Sequence, residues 1–248
     1  MNIEDLYVPL LVILRAIAFS YTAPLIGSKF LPGKVKIYLS IVLGLITFLQ
    51  VDGDVSFSGE GFYFSVVANL MIGALLGILL SVMLNFLSIG GHFIAMGSGL
   101  GFATMADPSN GTQTTTLASF YKISGLLIFV CMGGILSLTL VLSGSFSMFP
   151  LELFQIPNIT SEYVLSFFAF TLESALLVAA PMIFTVFLMN ISFGIISKAS
   201  PGLSVFSIGF PLGILITFFV MSLSIDVLPY FISNLLDMIP LLVSGDTF

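Results

Sequence analysis

The sequence predicts an all-α membrane protein: about six long, partly kinked apolar helices, with a re-entrant glycine-rich element between the third and the fourth. Three observations predict it. Of 248 residues, 58% are hydrophobic and only 7% are charged, and the mean hydropathy is +1.20. Charge-free stretches of roughly bilayer length recur along the whole chain. The few charges also sort by sign once the chain is threaded back and forth. A soluble domain carries about 25% charged residues. So few charges cannot cover this much apolar surface, which excludes an ordinary soluble enzyme and a disordered protein.

The balance of 6 basic against 12 acidic residues, a formal charge of −6, provides no basic patch for a nucleic acid. One cysteine, Cys131, permits no internal disulfide and no cysteine-based metal site. The opening Met1-Asn2-Ile3-Glu4-Asp5 lacks the basic region of a cleavable signal peptide, so the first apolar segment is expected to be retained.

A spanning helix needs about 20 mostly apolar residues. The first candidate is 6–26, interrupted only by Arg15. The second, 37–51, is short and borrows from 33–36. The third is 61–91 and the fourth 123–151. The fifth is 163–197, interrupted only by Glu173, and the sixth is 199–225. Overlong stretches suggest tilt, kinks, or helices standing partly out of the bilayer inside an assembly. The tail 227–243, with Pro229 and Pro240, reads as a short interfacial helix.

Residues 90–116 differ from these. Glycines crowd the first part, and Ser109-Asn110-Gly111-Thr112-Gln113-Thr114-Thr115-Thr116 is too polar for lipid. Irregular backbone at membrane depth persists only when buried in protein or lining a wet cavity. The segment reads as helix-like to about Ala106, then as a loop from Asp107 to Thr116. With six crossings and 90–122 kept on one side, Lys29, Lys34, Lys36, Lys122 and Lys198 share one face. The other face receives Asp52, Asp54, Glu60, Glu152, Glu162 and the acids near both ends, with no lysine or arginine. That positive-inside pattern places both termini outside the cytoplasm. No internal repeat is visible, so the inverted-repeat signature of many transporters is missing.

Few side chains could carry chemistry. A central arginine costs roughly 2.5–3.5 kcal/mol on insertion scales. Arg15 therefore either contacts an interior partner, Glu173 among the possibilities, or snorkels to the cytoplasmic end or simply caps a carbonyl; an interior structural role is favoured over a transport role. Glu173 reads as a protonated or hydrogen-bonded group facing a neighbouring helix rather than a transport carboxylate. His92, the sole histidine, has no nearby ligands for a metal and reads as a loop or helix-end residue. Asp107-Pro108 has no visible partner for hydrolytic work. Gly73, Gly77 and Ser81, four apart, form a stripe that lets helices approach closely. The 26 phenylalanines and 11 methionines fill gaps around such close approaches. No cofactor is expected.

Three ordered motifs resemble one family. Ala23-Pro24-Leu25-Ile26-Gly27, preceded by Arg15 and followed by Pro32 and Lys36, resembles the opening signature of the FliR family. Gly99-Leu100-Gly101-Phe102-Ala103-Thr104-Met105-Ala106-Asp107-Pro108 is similar to its central motif. Lys198-Ala199-Ser200-Pro201-Gly202-Leu203-Ser204-Val205-Phe206-Ser207-Ile208-Gly209-Phe210-Pro211-Leu212 is similar to its C-terminal one. Phe146 to Pro150 matches the family's Phe…Pro end of the middle span. The resemblance covers about residues 6–240. His92 stands where Glu or Gln is usual, Gly97 and Ser98 where Gln and Met are common, and Ile135 where a His is frequent.

The resemblance implies a non-enzymatic subunit of the type III export gate in the bacterial inner membrane, at the flagellar basal body. One copy would complete a helical assembly of FliP and FliQ subunits, with FlhB at its base and an FlhA-type component nearby. Residues 1–162 would be FliP-like and 163–248 a FliQ-like hairpin and tail, within a single membrane domain. Residues 99–116 would be the plug closing the channel to ions until an unfolded export substrate passes. Its gating residues would be Gly99, Gly101, Phe102, Met105, Asp107, Pro108, Ser109, Asn110, Gly111, Thr112, Gln113 and Thr114. The same subunit of a virulence injectisome is the serious alternative, because the two share the fold. A small-solute transporter would want paired midplane charges and repeat symmetry, and the sequence has neither.

Overall fold

In lipid the backbone must satisfy its own hydrogen bonds, which an α-helix does within one segment. The computed structural model describes residues 4–27, 31–50, 61–98, 115–151, 161–199 and 205–240, and every regular element among them is helical. In chain order these are α1 (Glu4–Thr22), α2 (Gly33–Gln50), α3 (Phe62–Leu84), α4 (Phe86–Gly97), α5 (Thr116–Cys131), α6 (Gly134–Met148), α7 (Ser161–Ala199), α8 (Val205–Ser224) and α9 (Leu228–Met238). The turn Ile225–Val227, a 3₁₀ helix, joins the last two.

The all-α membrane architecture holds, with four to five spans among the described residues where about six were expected. Among the described residues, four helical runs are long and apolar enough to cross a bilayer: Gly33–Gln50, Phe62–Gly97, Leu165–Lys198 and Pro211–Met238. The broken pair α5–α6 raises the number to five if it counts as one span. The first apolar segment falls short, since its apolar helix covers only Tyr7–Thr22. Pro24 disfavours helical backbone at the residue before it, and the chain leaves α1 in turns over 23–27. The break between α5 and α6 lies at Gly133, whose φ of 90° belongs to the left-handed region that glycine adopts without steric cost.

The tail forms a short helix, α9, and one expectation about local structure changes. One 3₁₀ turn carries the helical run on into α9, where Pro229 is the second residue and its missing N–H leaves no helical bond unmade. His92 lies within α4, half-buried, rather than in a loop or at a helix end. The glycines beside it do not break the helix, because their missing side chains are used in packing. A Cβ on Gly91 would press on the Ala118 backbone of α5, and one on Gly90 would approach the Ala175 carbonyl of α7.

Two runs exceed the hydrocarbon thickness. At 1.5 Å per residue, the 36 residues of Phe62–Gly97 and the 39 of α7 correspond to about 54 and 58 Å of helix, against about 30 Å of hydrocarbon. Pro181 sits inside α7 and Pro211 inside α8. Hydroxyls along the helices donate back to carbonyls three or four residues earlier, as Ser40 does to Lys36 and Thr217 to Gly213, so they need no water.

The chain divides into two interleaved units. The first comprises 1–84, 132–168 and 234–248. Here α1 is the central element and packs on both α2 and α3. Leu11, Val12, Ala16 and Phe19 are fully buried. Leu11 and Val12 join Leu151 in a cluster flanked by Tyr7, Val8, Phe62, Val66 and Phe146. Helix α2 is inside-out relative to a soluble helix. Its buried row is Ser40, Leu43, Gly44 and Thr47, and its exposed residues include Tyr38, Val42, Leu45 and Leu49. Gly44 lets α2 approach the Ile13 backbone and the Ala16 side chain.

The second unit comprises 85–131 and 169–233. Its α4 packs on α5. The Phe86 ring lies 6.4 Å, centroid to centroid, from both Phe170 and Phe231. Gly213 of α8 makes room for the Met189 side chain of α7.

Candidate assembly site: a buried arginine and a small-residue stripe

Within the first unit, one polar cluster sits in an otherwise apolar interior. Arg15 is completely buried. Its Nε and Nη2 donate to Asn69 Oδ1 of α3 at 2.8 and 2.6 Å. Its Nη1 donates to the Ser145 carbonyl and to Ser145 Oγ of α6 at 3.1 and 3.2 Å. Nη2 also donates to the Phe149 carbonyl at 2.8 Å. The guanidinium carbon lies 4.1 Å from the centroid of the Phe146 ring, a cation–π contact. Arginine thus neither snorkels nor pairs with Glu173. It joins α1 to α3 and to the end of α6.

The stripe on α3 runs into this cluster. Ser65, Asn69, Gly73, Gly77 and Ser81 are spaced four apart along one row of the helix, and the first four are buried. A Cβ on Gly73 would collide with the Arg15 carbonyl, and one on Gly77 with the Phe19 carbonyl and the Thr22 hydroxyl. Ser81 Oγ donates to the Thr22 carbonyl. The backbone of α1 therefore lies directly on α3 from Arg15 to Ala23, and the Arg15 side chain reaches one turn further along the same row to Asn69. Asn69, Ser145 and Phe149 are partners of Arg15 that the residues alone did not point to. A signal for Asn69 existed: it extends the 73–77–81 spacing, and an amide inside an apolar span must find a partner. Nothing local marks Ser145.

Glu173 belongs to the second unit and is exposed on α7. The gating residues Gly99, Gly101, Phe102, Met105, Asp107, Pro108, Ser109, Asn110, Gly111, Thr112, Gln113 and Thr114 lie outside the described residues. Among the described residues, no group of three or more His, Cys, Asp or Glu could hold a metal ion.

Comparison with known proteins fits the whole chain. The family described as bacterial export proteins, family 1, matches residues 6–239. The flagellar biosynthetic protein FliR of Aquifex aeolicus (strain VF5) is 29% identical over 233 residues, covering 93% of this chain and 90% of the relative. The FliR of Bacillus subtilis (strain 168) is 27% identical over 232 residues, covering 91% and 88%. That of Escherichia coli (strain K12) is 26% identical over 202 residues, covering 81% and 77%. The match begins in the first helix and ends just past the last, and on that evidence the chain belongs to the bacterial export proteins, family 1.

Proposed function

We propose that this chain is a structural and gating subunit of the flagellar type III protein export channel. In this reading it assembles with FliP, FliQ and FlhB in the bacterial inner membrane, with an FlhA-type component nearby, and passes unfolded flagellar proteins. It performs no catalysis and binds no cofactor. Residues 1–162 take the FliP-like place, residues 163–248 take the FliQ-like place, and 99–116 close the idle channel.

The observation that carries the proposal is the family match from residue 6 to 239, together with relatives named as flagellar biosynthetic protein FliR. The helices supply a physical reason for assembly. A helix of 39 residues extends well beyond ~30 Å of hydrocarbon. Its exposed residues include Leu172, Leu176, Phe184, Phe187, Ile191 and Ile195. Apolar surface of that length outside lipid requires protein to cover it.

The test is deletion of the gene followed by complementation. Loss of flagellar protein export, restored by the full chain, together with co-purification of FliP-like and FliQ-like subunits, is the expected result. A deletion strain that still exports flagellar proteins but loses secretion of virulence effectors would favour the injectisome reading. A well-behaved detergent monomer that moves a small solute would overturn both.

A further inference from the structure

A guanidinium has five N–H donors. Those of Arg15 are all used: one on Nε, two on Nη1 and two on Nη2. Every acceptor among the described residues is neutral. Two of them, the Ser145 and Phe149 carbonyls, lie at the C-terminal end of α6, where the helix dipole concentrates negative partial charge. The Phe146 ring adds its negative face. The charge is therefore stabilised by dipoles rather than by a carboxylate among the described residues.

Asn69 is oriented for this role. Its Oδ1 accepts twice from Arg15, and its Nδ2 donates to the Ser65 carbonyl at 2.7 Å and to the Leu151 carbonyl at 3.3 Å. The reversed amide would set N–H groups against N–H groups and carbonyl against carbonyl. The two side chains together hold three successive points at the end of α6: Ser145, Phe149 and Leu151.

We infer that Arg15 and Asn69 form a positioning pair that docks the end of α6, from Ser145 to Leu151, onto α1 and α3, and that it works through the number and direction of its hydrogen bonds, not through ion pairing. Lysine keeps the charge but has three donors on a flexible stem and cannot reach α3 and both α6 carbonyls in a planar fork. Aspartate at 69 gives the arginine an anion but removes both Nδ2 donors, which releases Leu151. An ion-pair role would tolerate Arg15→Lys and welcome Asn69→Asp. The inferred role tolerates neither. It does not depend on the export function, because the readout is the docking of this segment.

The test uses the full chain in its own membranes in a Cys131→Ala background. A Val12→Cys/Leu151→Cys pair, chosen because both residues belong to one buried cluster, is treated with a short bismaleimide. Arg15→Lys and Asn69→Asp are each expected to lower the cross-linked fraction roughly tenfold, as the loss of buried hydrogen-bond partners implies. Parent-level cross-linking in Arg15→Lys overturns the inference, as does parent-level or greater cross-linking in Asn69→Asp. If Arg15→Lys is degraded before labelling, the nearly isosteric Asn69→Asp decides. Degradation of Asn69→Asp while Glu173→Gln accumulates normally counts as the expected loss.

Discussion

Nη2 of Arg15 lies 2.6 Å from Oδ1 of Asn69, and both side chains are fully buried although they stand 54 residues apart in the chain. One turn along α3 from Asn69, Gly73 meets the carbonyl of that same arginine. A polar anchor and a close helix contact thus share one row of α3.

That row should not accept bulk. In Gly77→Val, the new side chain would begin against the Phe19 carbonyl of α1 and the Ala23 amide just beyond it, both backbone atoms that cannot rotate away. Overpacking of this kind costs about 1–3 kcal/mol or more, so the chain should accumulate several-fold less in membranes. Gly33→Ala is the matched control, since a Cβ there meets nothing within 4 Å. Immunoblots of membrane fractions read both, and equal levels for the two variants would contradict a close α1–α3 contact.

The α4–α5 contact separates two kinds of crowding. In Gly91→Ala the methyl group would stand 2.6 Å from the Ala118 Cα, whereas in Gly125→Ala it would meet only the branched end of Leu87. A side-chain tip can change rotamer and a backbone cannot. Gly91→Ala should lower the thermal stability of the purified assembly clearly, and Gly125→Ala by less, with a difference of order 1–2 kcal/mol. A larger loss for Gly125→Ala would mean that Leu87 has no free rotamer.

Arg15 and Glu173 should differ in consequence. Arg15→Ala leaves Asn69 Oδ1 and the end of α6 without donors in a buried site, an effect of about 1–3 kcal/mol for each buried acceptor left unsatisfied. Glu173→Gln alters an exposed side chain and should cost within about 0.5 kcal/mol. Yield of the detergent-purified complex is the measurement. Normal yield for Arg15→Ala would show that the buried network is dispensable.

The proposed gate makes its own prediction. Deleting 109–115 should leave assembly largely intact, because a polar lumen loop contributes little core, yet the resting channel should leak ions and small solutes. Phe102→Ala should loosen the seal by less, since one apolar contact among several is lost. Conductance or dye uptake in cells that express the complete gate without cargo reads both. A deletion variant that assembles normally and stays as tight as the parent would remove the plug assignment.

Much of the architecture was legible in the residues. Charge-free runs located the helices of the first and second spans, the overlong third and fifth, and the last. The misjudged points have local physical causes. The first helix ends early because of Pro24, and a left-handed glycine breaks the run between Cys131 and Gly134. Gly73, Gly77 and Ser81 could be picked out by spacing alone, and Ser65 and Asn69 continue that spacing toward the N-terminus of α3.

By itself the sequence determined that this protein is helical and apolar, that its helices can approach closely, and which family's motifs it carries. Those properties depend on composition and on residues three or four positions apart, which any short window contains. What only the tertiary structure decided is where the buried charge of Arg15 goes. Its acceptors come from 54, 130 and 134 residues away, two of them main-chain carbonyls that every residue possesses. A backbone carbonyl has no signature in a sequence, so packing alone selects which carbonyls a buried arginine meets.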